Sequence, residues 1–171
     1  MNALHIDLGV QLTAWQKDAE KDSFDETYDA VVHSEAQLAE ALQNGGNIKV
    51  GSNIELTEMI VIPEGVTATL NLNGNNIAAG LDPPRTDGGH LYAFTNNGTL
   101  IIDGEGTISS RGIYNYGTMT LNNGTLEAVD GNGGYGVRSY KGAAFVMNGG
   151  KGATTWKMII RAIRAAMMRL R

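Results

Sequence analysis

Alternating apolar and polar positions, closed by a small polar turn, recur along the middle of the chain. In each copy every second residue is apolar, which predicts a β-strand with one inward and one outward face. The first inward residues of successive copies are 22, 30, 19 and 26 residues apart, and repeats of this length predict a solenoid. The copies are NIKVGS at Asn47–Ser52, TLNLNG at Thr69–Gly74, TLIIDG at Thr99–Gly104, TMTLNN at Thr118–Asn123 and AFVMNG at Ala144–Gly149.

A second phrase recurs between these copies. FTNNGT (Phe94–Thr99), IYNYGT (Ile113–Thr118) and VRSYKGA (Val137–Ala143) each contain an apolar residue, a polar residue two positions later, and then a glycine. Only the last copy has an extra residue, Lys141. One repeat therefore contains about three short strands joined by tight turns, and this pattern predicts an all-β fold, a parallel β-helix of about five rungs.

One helix is predicted immediately before the first copy, at Ser34–Gln43. Ser34 is placed to cap the helix, and Gln37 is placed to complete a capping box. We expect the helix to cover the apolar core and the unpaired strand edges at the N-terminal end of the solenoid. Its apolar stripe is Leu38, Ala41 and Leu42.

An insertion, GLDPPRTDGG at Gly80–Gly89, accounts for the longest step between repeats. It contains two of the three prolines, so we expect it to loop out of the stack. Loops on a rigid scaffold often carry function. The candidate binding residues here are Asp82, Arg85 and Asp87.

Two segments resemble known β-helix proteins. QNGGNIKVG followed by IELTEMIVIPEGVTATLNLNGNNI is similar to the N-terminal cap and first coils of right-handed parallel β-helix proteins of the pectate-lyase-like superfamily. NYGTMTLNNGTLEA resembles the repeats of phage fibre and tailspike proteins and of gut-bacterial surface proteins. The resemblance covers residues 34–150 and implies a right-handed β-helix. It leaves function open, because this scaffold hosts lyases, hydrolases, adhesins and structural fibres.

In the main strand of the repeat, alternation assigns inward and outward columns. The outward column, nearly uncharged, suits packing against another chain, and it is equally consistent with scattered exposed apolar residues. Its members are Lys49, Asn71, Ile101, Thr120 and Val146. The inward pairs, predicted to stack in register, are Ile48/Val50, Leu70/Leu72, Leu100/Ile102, Met119/Leu121 and Phe145/Met147.

In the second strand, polar residues follow the inward apolar residues Phe94, Ile113 and Val137 by two positions. We predict that they form a hydrogen-bonded ladder. They are Asn96, Asn115 and Ser139.

The outward residues of this second strand include the strongest candidates for a binding site. Alternation places Tyr116 beside Tyr140 and Tyr114 beside Arg138. Exposed stacked tyrosines with an arginine are typical of surfaces that contact sugars or protein partners. Ordinary exposed strand residues would give the same pattern.

Acidic and basic residues are distributed unevenly along the chain. Residues 1–150 contain all 18 acidic residues and seven of the 13 basic ones, a net charge of −11, whereas residues 151–171 contain six basic residues and no acid. We therefore expect no nucleic-acid binding by the acidic body. Three origins are open for the tail: a basic amphipathic helix that caps the solenoid, a helix for a membrane surface or a calmodulin-like partner, or an out-of-frame end of a truncated parent chain.

The amino-acid composition limits the kinds of bond, membrane segment and functional site that we expect in this chain. The chain has no cysteine, no run of about 18 apolar residues and no classical signal peptide, so we expect no disulfide, no membrane span and synthesis in the cytoplasm. The histidines His5, His33 and His90 lack metal-ligand spacing. No pair of carboxylates stands out as a hydrolytic pair. We assign no catalytic residue, metal or cofactor, and the sequence favours a protein that is not an enzyme without deciding the matter.

The sequence thus predicts three regions: an acidic attachment arm at 1–33, the capping helix and β-helix at 34–150, and the basic tail at 151–171. The favoured hypothesis is a fibre or adhesin segment on a virion, most simply of a phage, or on a cell surface. It would attach to the particle through the arm, form a homotrimer, and contact a surface polysaccharide or another chain. The alternatives are a polysaccharide lyase or glycoside hydrolase that uses acids of the Gly80–Gly89 insertion, and a bacterial glycan-binding module.

Overall fold

The structure, a computed structural model, describes residues 30–81, 89–129 and 134–153. These residues form fifteen strands and one helix. In chain order they are β1 (Ala30–Val32), α1 (Glu35–Asn44), β2 (Gly46–Val50), β3 (Ile54–Leu56), β4 (Ile60–Ile62), β5 (Thr67–Asn71), β6 (Asn76–Ala79), β7 (Phe94–Asn96), β8 (Thr99–Asp103), β9 (Thr107–Ser110), β10 (Ile113–Asn115), β11 (Thr118–Leu121), β12 (Thr125–Ala128), β13 (Val137–Ser139), β14 (Ala144–Met147) and β15 (Lys151–Ala153).

The strands form three parallel sheets. The first sheet has the order β1-β2-β5-β8-β11-β14, the second β4-β7-β10-β13, and the third β3-β6-β9-β12-β15. From β2 onward, consecutive strands enter the first, third and second sheets in rotation. This topology is consistent with the predicted all-β class and compatible with a β-helix-like solenoid.

The core lies between the three sheets, because most strands turn alternate apolar side chains inward. In the first sheet Ile48, Leu70, Ile102 and Leu121 are neighbours on successive strands, and all four are fully buried. Burying each such side chain contributes roughly 1.5–3 kcal/mol. Columns of this kind, repeated in each sheet, are the main source of stability.

The predicted register is wrong between β5 and β8. Leu70 pairs with Ile102, and Ala68 pairs with Leu100, so the strands are shifted by two residues from the predicted pairing of Leu70 with Leu100. The cause is the β4–β5 connection, residues 63–66, which is two residues longer than the connection Asn97–Gly98 between β7 and β8. A shift of two residues leaves the inward face apolar, so alternation alone does not exclude it.

The shift also corrects the outward column of the first sheet. Thr69, and not Asn71, lies beside Ile101, and the column continues through Thr120 to Val146. Asn71 lies between Lys49 and Asp103 in a separate polar column. The column containing Ile101 remains uncharged over these four strands.

At β14 the predicted register is found, but the predicted burial is not. Phe145 pairs with Met119, and Met147 pairs with Leu121. Phe145 is only half-buried, however, and 45% of Met147 is exposed. The reason is position, since β14 is the outermost described strand of its sheet.

Helix α1 is found where it was predicted, and its stripe of Leu38, Ala41 and Leu42 is buried against the core. The Ser34 side chain accepts a hydrogen bond from the Gln37 N–H at 3.4 Å. The Gln37 side chain accepts from the N–H of His33, one residue before the predicted partner. Helix α1 is capped by Gly45, whose N–H donates to the Ala41 carbonyl at 2.8 Å and whose positive φ of 80° turns the chain out of the helix.

A carboxylate fastens α1 to the end of β3. The Glu35 side chain accepts hydrogen bonds from the Thr57 N–H at 2.6 Å, the Thr57 hydroxyl at 2.7 Å and the Glu58 N–H at 3.0 Å. Burial of Glu35 alone would raise its pKa, but these three donors favour the ionised form and bring the pKa below its ordinary value. The clamp therefore stabilises the packing of α1 most strongly when Glu35 is ionised.

Candidate ligand-binding face

The second sheet positions the candidate site on its outward side. In β7, β10 and β13 the neighbours Thr95, Tyr114 and Arg138 point outward, because the residues on either side of them in each strand face the core. This is the register that the sequence predicted for Tyr114 and Arg138. Two further predicted candidates, Tyr116 and Tyr140, follow β10 and β13 directly.

Tyr116 and Tyr140 form a face-to-face stack. Their ring centroids are 4.2 Å apart and their planes differ by 9°. The backbone fixes this pairing, since the Tyr116 N–H donates to Asn96 and the Tyr140 N–H donates to Asn115 one strand further along. Tyr116 remains 47% exposed. The predicted juxtaposition of these two rings is confirmed.

A second stack joins the first. The rings of Tyr92 and Tyr114 are 4.0 Å apart at an angle of 24°. Tyr114 also meets Tyr140 edge-on, at 5.8 Å and 58°. The four rings thus form one continuous chain across three strands of the sheet.

Two arginines complete this cluster. The Arg111 Nε donates a hydrogen bond to the Tyr92 hydroxyl at 3.0 Å, and its guanidinium carbon is 5.4 Å from the centre of that ring. The Arg138 guanidinium lies 5.2 Å from the ring of Tyr140 and 5.7 Å from the ring of Tyr135. These are cation–π distances. We call the surface the tyrosine–arginine face and define it by Tyr92, Arg111, Tyr114, Tyr116, Tyr135, Arg138 and Tyr140.

Sequence reasoning missed three members of this face. Tyr92, Arg111 and Tyr135 each lie two positions before the first inward residue of β7, β10 and β13. The backbone is already paired there: the Arg111 N–H donates to Leu91, and the Tyr135 N–H donates to Arg111. Strict alternation places these three positions on the inward side with Phe94, Ile113 and Val137, so the sequence pattern predicts the wrong side for all three.

The face is electropositive on an acidic chain. The segments that form it, 91–98, 111–117 and 134–142, contain Arg111, Arg138 and Lys141 but no carboxylate. Burial and a hydrogen bond with Tyr92 raise the pKa of Tyr114, and burial and a hydrogen bond with Tyr116 raise the pKa of Tyr140. Both phenols therefore stay protonated at neutral pH and can donate hydrogen bonds.

An amide ladder lies directly beneath the face. The Asn96 Nδ2 donates to the Asn115 Oδ1 at 2.8 Å and to the Thr118 carbonyl at 2.9 Å. The Asn115 Nδ2 donates to the Ser139 hydroxyl at 3.2 Å and to the Ala144 carbonyl at 2.8 Å. Both asparagines are fully buried. The predicted ladder is confirmed, and it links β7, β10 and β13 in addition to their backbone pairing.

The chemistry of the face suits ligand binding. Within residues 30–81, 89–129 and 134–153, no cluster of three or more His, Cys, Asp or Glu side chains is arranged to hold a metal ion. The groups that the face presents are phenol hydroxyls, aromatic ring edges and guanidinium groups. Such groups form hydrogen bonds and attract negative charge.

The other three candidates, Asp82, Arg85 and Asp87, lie outside the described residues, as do the attachment arm up to residue 29 and the tail from residue 154. The structure does describe both ends of the insertion. Leu81 and His90 form an antiparallel bridge, and the Leu91 N–H donates to the Gly80 carbonyl at 2.9 Å. The insertion thus returns to the stack immediately before Tyr92.

Comparison with models of known protein families, with curated proteins and with solved structures finds no match for this chain. The pectate-lyase-like resemblance therefore stays a prediction. In the described ranges no helix combines the length and the apolar character that crossing a membrane requires.

Proposed function

We propose that this chain is a right-handed parallel β-helix of about five rungs that forms a non-enzymatic segment of a fibre or surface protein, and that it contacts a carbohydrate chain through the tyrosine–arginine face. One observation carries the proposal: five of the six tyrosines of the chain gather on one side of one sheet, together with two arginines. Tyrosine and arginine are the residues that most often anchor a binding surface.

The scaffold supports this role because it fixes the face without help from a ligand. The rings stand on strands held by parallel pairing and by the buried amide ladder. A surface that is already ordered loses little conformational entropy on binding. In the proposed setting, on a virion or a cell surface, such a segment would display the face at a fixed orientation.

A carbohydrate-binding screen tests the proposal. The purified chain would be applied to immobilised polysaccharides and oligosaccharides, and Tyr116→Ala and Tyr140→Ala would be compared with the parent. Loss of an anchoring ring is expected to weaken binding by about tenfold, which corresponds to about 1.4 kcal/mol. Glu55→Ala, at an exposed position of β3 in the third sheet, serves as the control and is expected to change binding by less than about twofold.

Two measurements accompany the screen. Each bound glycan would be incubated with the protein and analysed for new reducing ends and for unsaturated products, and no release is expected. If bound chains are cleaved, the chain is an enzyme and the non-enzymatic proposal is wrong. If no glycan binds to the parent, the carbohydrate role is wrong.

We also propose that copies of the chain associate as a homotrimer through the first sheet. Support comes from its uncharged outward column Thr69, Ile101, Thr120 and Val146, in which Val146 is 46% exposed. Light scattering after size exclusion measures the mass of the particle. A monomer at high protein concentration would contradict the trimer, whereas Val146→Lys in a trimer is expected to shift the mass towards that of the single chain.

A further inference from the structure

The aromatic rings of the tyrosine–arginine face are stacked on one another, and this restricts how a ligand can approach them. At 4.2 Å and 9°, the facing sides of Tyr116 and Tyr140 cover each other. Tyr92 covers one side of Tyr114, and the Arg138 guanidinium lies near the ring of Tyr140. Stacking a sugar flat on a ring needs an open ring face, so most of this surface is left with ring edges and hydroxyl groups.

The charges on the face favour a ligand with negative groups. Lys141 is exposed one residue after Tyr140, and Arg138 lies beside the same ring. Among the described residues no carboxylate is shown paired with Arg138, and none lies within the segments that form the face. A guanidinium stacked on a ring can still donate hydrogen bonds in its own plane to a carboxylate or a sulfate.

The acidic body of the chain, residues 1–150, argues against general attraction of polyanions. Residues 1–150 have a net charge of −11, so a long anionic polymer is repelled by most of this surface. Arg111 is already engaged with the Tyr92 hydroxyl, which leaves Arg138 and Lys141 as the cations that a ligand would meet. Within residues 1–150, attraction is thus strongest on one side of the second sheet.

From these three features we infer that the tyrosine–arginine face binds an acidic polysaccharide, one whose carboxylate or sulfate groups contact Arg138 and Lys141 while its hydroxyl groups contact the phenol edges. The inference rests on the proposed carbohydrate role and names its ligand class. Binding would depend on salt concentration, on both cations and on phenol hydroxyls, and less on the faces of the rings.

Pairs of polysaccharides that differ mainly in charge test whether binding requires negative groups on the ligand. Binding of dextran sulfate would be compared with that of dextran, and a polyuronate with the same polymer after reduction of its carboxylates to alcohols. The charged member of each pair is expected to bind at least about tenfold more tightly at low salt, and its affinity should fall severalfold between about 50 and 200 mM salt. Equal binding of the charged and neutral members would overturn the inference.

Variants locate the site. Arg138→Gln and Lys141→Gln are each expected to weaken binding of the charged polymer by about threefold to tenfold. Lys151→Gln removes an exposed positive charge from β15 of the third sheet and is expected to have less than a twofold effect. Tyr116→Phe keeps the ring and removes the hydroxyl, so it should lose most of the affinity that Tyr116→Ala loses. Thermal unfolding followed by circular dichroism verifies that each variant is folded.

The outcomes separate this inference from the function on which it rests. If neutral glycans bind and Tyr116→Ala abolishes their binding, the carbohydrate role stands and the acidic ligand class is wrong. If neither charged nor neutral glycans bind, the carbohydrate role itself is wrong. Duplex DNA binding as tightly as the charged polysaccharides, or Lys151→Gln weakening binding as much as Arg138→Gln, would indicate general polyanion attraction and overturn the inference.

Discussion

The amide ladder beneath the tyrosine–arginine face offers a quantitative test of the fold, through replacement of its two asparagines by leucine. Leucine has nearly the shape of asparagine but forms no hydrogen bonds. Asn115→Leu removes one acceptor and two donor interactions, with Asn96, Ser139 and Ala144. Asn96→Leu removes two donor interactions, with Asn115 and Thr118.

The two substitutions should differ in cost. Asn115→Leu leaves a buried Asn96 N–H and the Ala144 carbonyl without these partners. At roughly 1–3 kcal/mol for each orphaned group, and after the gain from a buried apolar side chain, it should destabilise the fold by about 2–4 kcal/mol. Asn96→Leu orphans two groups as well, but it also removes the Asn96 Oδ1, a buried oxygen that has no hydrogen-bond partner. Its cost should therefore be only about 1–2 kcal/mol.

The double variant isolates the bond between the two amides. When both side chains are leucine, neither half of the Asn96–Asn115 hydrogen bond is left orphaned. The combined loss of unfolding free energy should be smaller than the sum of the single losses by about 1–3 kcal/mol. Urea unfolding followed by far-ultraviolet circular dichroism measures all four proteins of the cycle.

A second cycle provides the control. Val32 is buried in β1, the edge strand of the first sheet, whereas Asn115 lies in β10 of the second sheet, so Val32→Ala and Asn115→Leu should be additive within about 0.5 kcal/mol. Additivity of the two asparagine substitutions as well would show that their side chains are not bonded. An Asn96→Leu variant less stable than Asn115→Leu would refute the assignment of the unpaired oxygen.

Three further predictions concern the clamp, the face and a turn. The pKa of Glu35 is lowered, so its contribution to the free energy of unfolding is present above the pKa of this group in the unfolded chain and is lost as the pH falls through its pKa in the folded protein. Glu35→Gln should therefore lower the free energy of unfolding by about 1–2 kcal/mol at pH 7 and by less in acid. Urea unfolding at each pH measures the difference. The pKa of Tyr114 is raised, so its contribution to the free energy of unfolding is present below the ordinary phenol pKa of about 10 and is lost as the pH rises above that value. Tyr114→Phe should therefore be less sensitive to alkaline unfolding than the parent protein. An identical alkaline transition in both proteins would contradict the raised pKa of Tyr114. A Cβ at Gly117 would overlap the Gly98 carbonyl oxygen, whereas one at Gly142 meets nothing within 4 Å, although its φ is 92°. Gly117→Ala should therefore lower the melting temperature more than Gly142→Ala, whose cost is limited to about 1 kcal/mol of backbone strain, and the reverse order would count against the close stacking of these turns.

The register of the second sheet could be predicted from the sequence, whereas that of the first sheet could not. Phe94, Ile113 and Val137 each precede a polar residue by two positions, so only one alignment places the asparagines together. In the first sheet, both Ala68 and Leu70 are acceptable neighbours for Leu100, since either alignment keeps the core apolar. The length of the turn at residues 63–66 decides between them, and turn length is a weak signal in a single sequence.

The binding face was predicted only in part, for a similar reason. Tyr116 and Tyr140 were found because they follow the polar residue of the repeated phrase at the same distance. Tyr92 precedes that phrase, and its contact with Tyr114 depends on side-chain rotamers as well as on strand register. Sequence alternation gives the side of the sheet within a strand, but neither the side taken by residues before the strand nor which neighbouring rings stack.

The amide ladder also has a direction. Asn96 donates to Asn115, and Asn115 donates to Ser139, so the two amide dipoles point the same way along the stack and reinforce each other. The series ends in the unpaired Asn96 oxygen, and the register partner of Asn96 in β4 is the aliphatic Ile62. The row of amides can therefore be lengthened at that end by a hydroxyl-bearing or amide-bearing residue at position 62. Such a residue would supply the proton that the last oxygen lacks, at the expense of one aliphatic contact in the core.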